Sequence, residues 1–333
     1  MSIAPDISII LVTWNAGEHL SRCLSALSNQ TCKDFEIIIV DNGSTDDSLT
    51  VLNSWKDSPL TVKRLENNRG FAVANNIGVD IASGKWIVLL NADAYPESNW
   101  LENFIKAAKQ HPEYNFFSSR QIQYNNPHLL DGAGDEYHVS GLAWRRYYNH
   151  IKSEYGAQQE EVFGACAASA MYCRKDFLEA GGFDEDYFSY FEDVDLSFRM
   201  RLAGGRCLYV PDAVVHHVGS ASTGKLSDFV VYYGHRNLIW TYCKNMPGSL
   251  FWFYLLLHLL MNIFFIFSFM FKGKGHVILK AKWDALRGIP SVINKRRIIH
   301  KTRVVSSKEV SQFMSRGVLS PYWAARQRRR WGR

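Results

Sequence analysis

The sequence predicts an α/β fold: a doubly wound, Rossmann-like, mostly parallel sheet followed by a C-terminal helical, membrane-associating extension. Three observations lead to it. Short β-branched apolar runs alternate with helix-like stretches over residues 7–93, the pattern of strands joined by crossover helices. Two of those runs end on acidic or amide residues, Asp41-Asn42 and Asn91-Ala92-Asp93. Charge is also split along the chain. Residues 272–333 hold 17 Lys and Arg against two Asp and Glu, a surplus of 15, so a chain of net +6 carries −9 before that point.

Ile7–Thr13 is apolar throughout, as befits a strand covered on both faces. A helix is expected over Glu18–Ser28. Phe35–Val40 is a second buried strand, ending in Asp41-Asn42-Gly43-Ser44, a turn that offers a cap to a helix near Asp46–Ser54. Strand Thr61–Leu65, helix Phe71–Ala82 and strand Trp86–Leu90 complete the alternation. Right-handed crossovers collect the strand ends on one edge, where such sheets bind ligands. Residues 125–160, rich in Tyr, His, Asn and Gly, read as irregular strands and loops. Glu161–Arg174 reads as a strand pair, Asp176–Ala180 and Glu192–Ala203 as helices, and Leu208–Val215 as a strand.

Apolar residues make up 47% and charged residues 21%, which supports a buried core and excludes a disordered chain. None of the six cysteines forms a CxxC pair, so no zinc site is expected. No basic residue precedes the short apolar run Ile7–Val12, and a reducing cytoplasmic compartment fits the chain. Leu250–Phe271 carries no formal charge and is long enough to cross a bilayer. A single crossing would part the basic tail from a cytoplasmic globular domain, against the positive-inside rule. His258 and Asn262, four apart, would also share one helix face. The expectation is a segment lying in or dipping into the cytoplasmic leaflet, with Lys272, Lys274 and Lys295–Arg297 on anionic headgroups. A buried helix or a dimer contact is the alternative.

Five stretches could carry chemistry. Asp93 suits either a turn cap or an oxygen ligand for Mg²⁺ or Mn²⁺ with substrate phosphate. Asp41 and Asn42 suit a cap or a contact to base or ribose. Glu192, Asp193 and Asp195 fall within four positions. They would favour a helix N-terminus, yet their mutual repulsion raises pKa values and suits one of them to a general base. His216-His217 follows a strand and suits a structural role or completion of a metal shell. Asn67–Asn76, with Arg69 and Gly70, suits a plain helix start or a phosphate contact.

Taken together, Val12-Thr13-Trp14-Asn15, Val40–Ser44, Asn68–Phe71 through Asn75-Asn76, Leu90–Asp93, Gly181–Glu185, Phe191–Leu196, His217–Gly219 and Arg236-Asn237 resemble the family 2 inverting glycosyltransferases of GT-A fold, especially their rhamnosyltransferase-like branch. The set is in the family's order and covers about residues 7–240. The resemblance implies a domain over 1–240, with a nucleotide-binding half (1–95) and an acceptor half (96–240). Residues 241–333 follow as an apolar helical segment and basic tail. It implies donor contacts from Thr13, Asn15, Asp41, Asn42, Arg69, Asn75, Asn91, Ala92 and Asp93. Mg²⁺ or Mn²⁺ would sit on Asp93 and His217, with His216 the competitor, and Asp193 would be the base beside Glu192. One departure is Asn91, where the family's Asp-x-Asp has its first Asp. The partners implied are a nucleotide-sugar, best matched by dTDP-rhamnose with other UDP- or dTDP-sugars such as a galactofuranose or hexose donor as alternatives, and a lipid-linked saccharide acceptor. An anionic membrane surface is expected as well, and nucleic acid is not. The place of action would be the cytoplasmic face of the cell membrane, in polysaccharide or lipopolysaccharide (O-antigen) synthesis. A nucleotidyltransferase is a poorer match, because the first turn, Thr13–Gly17, lacks a basic residue. A non-catalytic membrane- or nucleic-acid-binding module is the remaining class, motivated by the basic tail.

Overall fold

A computed structural model describes residues 5–55, 57–219, 227–317 and 319–330. Residues 1–4, 56 and 220–226 of the expected 1–240 domain and residues 318 and 331–333 of the extension lie outside these.

The main sheet is built from β1 (Ile7–Thr13), β2 (Phe35–Asp41), β3 (Leu60–Arg64), β4 (Trp86–Asn91), β5 (Ala94–Pro96), β6 (Phe116–Gln123), β7 (Leu130–Ala133), β10 (Glu160–Val162), β11 (Ser169–Cys173) and β12 (Cys207–His217). A smaller sheet holds β8 (Asp135–His138), β9 (Ala143–Arg145) and β13 (Met314–Ser315). The main order is β10-β12-β6-β11-β4-β1-β2-β3, with β5 against β12 and β7 against β6. Strands β1 to β4 pair in parallel, as do β6 and β12, whereas β11 is antiparallel to both its neighbours. The doubly wound half thus has the predicted form.

The helices are α1 (Gly17–Ser28), α2 (Phe71–Ile81), α3 (Trp100–Gln110), α4 (Arg174–Glu179), α5 (Glu192–Leu202), α6 (Asp228–Asn245), α7 (Gly248–Met270), α8 (Gly275–Thr302), α9 (Ser307–Gln312) and α10 (Ser320–Arg330). The apolar strand runs are explained by two separate core layers. Ile9, Leu11, Ile37, Ile39 and Val88 face one layer with α1 and α3. Their neighbours Ile10, Ile38, Val40, Ile87 and Leu89 face the other, with α2 and α5. Alternate residues point to opposite faces, so a strand covered on both sides must be apolar at every position.

Several expectations are corrected. No α-helix spans 46–54; only Thr50–Ser54 winds, as a 3₁₀ turn, because Asp46 accepts from the Ser48 backbone N–H and hydroxyl and competes with the helix ladder. The strands within Glu161–Arg174 do not pair with each other: β10 lies on β12 and β11 on β4 and β6. The basic cluster is partly spent inside the protein. Lys295 reaches Asp184 (2.5 Å) and Asp186 (2.6 Å), Arg296 donates to the Cys243 carbonyl, and Lys274 pairs with Asp228 at 2.5 Å.

Residue 240 falls inside α6, and α8 packs along α6. Helix α7 buries only His258, Asn262 and Phe269. His258 Nδ1 lies 2.7 Å from the Ser140 carbonyl, and Asn262 accepts from Lys282 at 2.6 Å. The two polar residues on one face are therefore the ones that dock it. Its other faces leave Trp252, Phe253, Leu256 and Phe264 more than 60% exposed, unlike a core helix.

Candidate functional site

The C-terminal ends of β1 and β4, the end of β12 and the start of α5 surround one cavity of about 800 Å³. Of the residues expected there, Asn42, Asn91, Ala92, Asp93, Glu192, Asp193 and His217 line it. Thr13, Asn15, Asp41, Arg69 and Asn75 do not line it, and Asn15 and Arg69 are exposed. Asp41 Oδ1 accepts from Ser44 N–H, Asn15 Oδ1 from Thr45 N–H, and Asn75 donates to the Phe71 carbonyl. Asp41 and Asn15 thus brace the turn at Ser44-Thr45, and the Asn75 bond lies within α2. Asn42 does both: it lines the cavity and clamps the Asn68–Gly70 turn, accepting from Arg69 N–H and donating to Asn68 and Gly70. Thr13 is buried, and its hydroxyl has no hydrogen-bond partner among the described residues.

Asp93 and His217 meet because β5 pairs with the end of β12, setting His217 opposite Ala94. His217 Nε2 is 3.4 Å from Asp93 Oδ1, and its Nδ1 is 2.7 Å from Asp131 Oδ2. His216 points away, 3.2 Å from Glu97. Burial pushes the His217 imidazole down in pKa, but Asp131 and Asp93 outweigh that and hold it up to about 9. Burial likewise pushes the Asp93 carboxyl up, and the His217 hydrogen bond and charge bring it below its ordinary value. A carboxylate oxygen and an imidazole nitrogen so placed, at a cavity with room for diphosphate oxygens, fit the ligand preferences of Mg²⁺ or Mn²⁺. Asp131 stands where a histidine ligand's orienting carboxylate is usually found.

The three clustered carboxylates divide. Asp195 is fully buried: it accepts from Arg199 (2.9 Å) and Asn245 (2.7 Å) and pairs with Lys244 at 2.7 Å. Lys244 also reaches Asp184 at 2.5 Å, so this network locks α5 to α6. Lys244→Met would leave two buried carboxylates without it and is expected to cost about 3–5 kcal/mol. Urea denaturation tests this; an unchanged midpoint would show that the network does not hold α5. Glu192 is buried, with Oε2 unpartnered among the described residues. Burial, then the charge of Asp193, pushes its carboxyl well above the ordinary range. Asp193 is half-buried and lines the cavity. It accepts from the backbone N–H groups of Ala167 (3.1 Å) and Val194 (2.8 Å). Burial pushes its pKa up, and those two bonds and Arg145 offset only part of the rise.

The loop before Asp193 is strained: Phe188, Tyr190 and Phe191 have φ of 64°, 67° and 69°, a region unfavourable to aromatic residues. Asn237 holds it, with Nδ2 2.7–3.0 Å from the carbonyls of Tyr187, Ser189 and Tyr190. Arg236 donates to Asp186 and Tyr187 carbonyls. The Arg236-Asn237 pair thus clamps the segment that aims Asp193.

Sequence reasoning missed Trp144, Arg145, Asp131, Asp135 and His19. Arg145 pairs with Asp131, and its charge also acts on Asp135 and Asp193. Cys166, Asp135 and Asp193 offer ligand atoms within 4.8 Å of one another, but the Arg145 charge already serves this cluster. Nothing in the period of residues 125–160 marked Asp131, Asp135, Trp144 or Arg145.

The sequence profile of Glycosyl transferase family 2 matches residues 8–180, more than half of the chain. An N-acetylglucosaminyl-diphospho-decaprenol L-rhamnosyltransferase of Mycobacterium tuberculosis is 28% identical over 254 residues, covering 66% of this chain and 78% of that protein. A PGL/p-HBAD biosynthesis glycosyltransferase of Mycobacterium bovis is 42% identical over 94 residues, 27% of this chain and 36% of that protein. Among solved structures, S. aureus TarS with UDP-GlcNAc has a TM-score of 0.58 at 17% identity, covering 92% of this chain and 89% of that one. The mannosyltransferase PcManGT of Pyrobaculum calidifontis, with GDP-Man and Mn2+, has a TM-score of 0.55 at 16% identity, covering 98% and 85%. At such identity these two likenesses concern the fold.

Proposed function

The chain belongs to glycosyl transferase family 2, and from that membership we propose that it is an inverting transferase assisted by Mg²⁺ or Mn²⁺. It moves a sugar, best matched by rhamnose from dTDP-rhamnose, to a lipid-linked saccharide in cell-surface polysaccharide synthesis. The observation that carries this reading is the meeting of Asp93, His217 and Asp193 at one cavity. The rhamnosyltransferase relative supports both the sugar and a lipid-diphosphate acceptor.

The chemistry follows from the residues. Asp193 accepts the proton of the acceptor hydroxyl. The hydroxyl oxygen bonds to the anomeric carbon as the bond from that carbon to the diphosphate oxygen breaks. Attack from the face opposite the leaving group inverts the centre, through an oxocarbenium-like state. Asp93 and His217 would hold the cation, which when bound neutralises charge on the leaving diphosphate. Burial and the charge of Asp193 push the Glu192 carboxyl up, which favours its neutral form beside the base. Asn42 fixes the Asn68–Gly70 turn at the donor side. A panel of UDP-, dTDP- and GDP-sugars with Mn²⁺, read by nucleoside diphosphate release, tests the reaction class. Release from none, even with membrane extract, would sink it.

The same reading places the enzyme at the cytoplasmic face of the membrane. The exposed face of α7, with exposed Leu279, Trp283 and Leu286 on α8, would enter the leaflet, flanked by Lys272, Lys280 and Arg287 at about 1 kcal/mol each. Changing Trp252, Phe253 and Phe264 together to Glu is expected to abolish flotation with phosphatidylglycerol vesicles. Full flotation of that variant would place the contact elsewhere.

A further inference from the structure

A second cavity, of about 490 Å³, lies between β9 and α10 and is walled by Trp144, Arg145, Tyr147, Glu136, Trp323 and Arg326 among others. The geometry points to a subsite for the saccharide–diphosphate end of the acceptor, built jointly by β9 and the C-terminal helix α10. This inference rests on the transferase reading above and names where its second substrate sits.

Three features support it. Trp144 and Arg145 line both this cavity and the one holding Asp193, so the two adjoin along β9. A molecule seated in the second cavity has a short path to the base. The donor-side residues Asn42, Asp93 and His217 take no part in the second cavity. Its chemistry also matches a sugar diphosphate. Indole and phenol faces pack against the C–H faces of a pyranose, and a guanidinium such as that of Arg326 binds phosphate oxygens in bidentate fashion. Glu136 supplies a carboxylate for sugar hydroxyls. Trp323 is 53% exposed and Arg326 rests over its ring at 5.5 Å, so an apolar face and a cation stand side by side.

The topology explains how the basic tail reaches this place. β13 pairs in parallel with β8, Met314 opposite Tyr137. That pairing holds the segment after α9 against the small sheet, and α10 lines the cavity together with β9. One cation of the basic tail, Arg326, thus borders the cavity beside the one that holds Asp193.

The test uses full-length wild type, Trp323→Ala, Trp323→Phe, Arg326→Ala and Arg326→Lys. The probe is radiolabelled N-acetylglucosaminyl diphosphate on a ten-carbon lipid tail, and equilibrium binding is measured without donor. Trp323→Ala and Arg326→Ala are each expected to weaken binding about tenfold, with the conservative variants recovering most of it and the affinity for nucleoside diphosphate unchanged. Wild-type probe affinity in both alanine variants, or no probe binding by wild type, would overturn the subsite. Lowered vesicle flotation of Arg326→Ala with unchanged probe binding would assign α10 to headgroups instead and also overturn it. Probe binding with these losses, but no transfer from any donor, would leave the subsite standing and remove the transferase reading.

Discussion

Asp193→Asn is expected to lower kcat by about 10²–10⁴-fold while leaving the affinity for nucleoside diphosphate at the wild-type value. Asparagine keeps the shape of the side chain, and its carbonyl can still accept from the Ala167 or Val194 N–H. What it loses is the capacity to take a proton. The pH dependence carries a second signature. Burial raises the Asp193 pKa, and a base works only when ionised. Activity should therefore fall as pH drops through a value above the ordinary aspartate pKa of about 3.9, and the acid limb should be absent from the residual rate of the variant. Arg145 opposes the rise, so Arg145→Met should move the limb to higher pH. Undiminished turnover in Asp193→Asn would remove Asp193 as the base, whatever the fate of the rest of the site.

Asp93→Ala is expected to abolish Mn²⁺-dependent donor binding and to lower kcat/KM by about 10²-fold or more, since several kcal/mol of charge stabilisation act at that point. Calorimetric titration of nucleoside diphosphate with and without Mn²⁺ separates this from a fold defect. Binding without metal should change little, and the metal-dependent increment should vanish. His217→Ala should lose most of the same increment. His216→Ala should keep it, because His216 faces Glu97. A normal Mn²⁺ increment in Asp93→Ala would contradict the placement.

What was legible in the sequence follows from how local each signal is. The strands could be read, as Ile7–Thr13, Phe35–Val40 and Trp86–Leu90, because burial on both faces demands unbroken apolar runs. The place of Asp93 at the cavity could be read because it follows such a run. The Glu192–Asp195 cluster could be found, but its division of labour could not. Asp195 is made structural by Lys244 and Asn245, about fifty residues later on α6. Arg145 and Asp131 belong to short strands whose sequence has no regular period, and they matter only through residues that other strands bring to them. The tail misled in the same way. Net charge says where cations are along the chain, yet Lys295 is spent on Asp184 and Asp186. The expected helix at 46–54 failed on a local competition that the Asp46-Asp47-Ser48 sequence does contain, side-chain bonding within the turn.

The most direct test of the central claim is product analysis. Wild-type protein would be incubated with Mn²⁺, dTDP-rhamnose and a lipid-linked N-acetylglucosaminyl diphosphate, and the anomeric configuration of the new linkage read by NMR. The account predicts a disaccharide whose linkage is opposite in configuration to the donor, formed by wild type and not by Asp193→Asn. A linkage that retains the donor's configuration, or equal product from both proteins, would contradict single displacement with Asp193 as base.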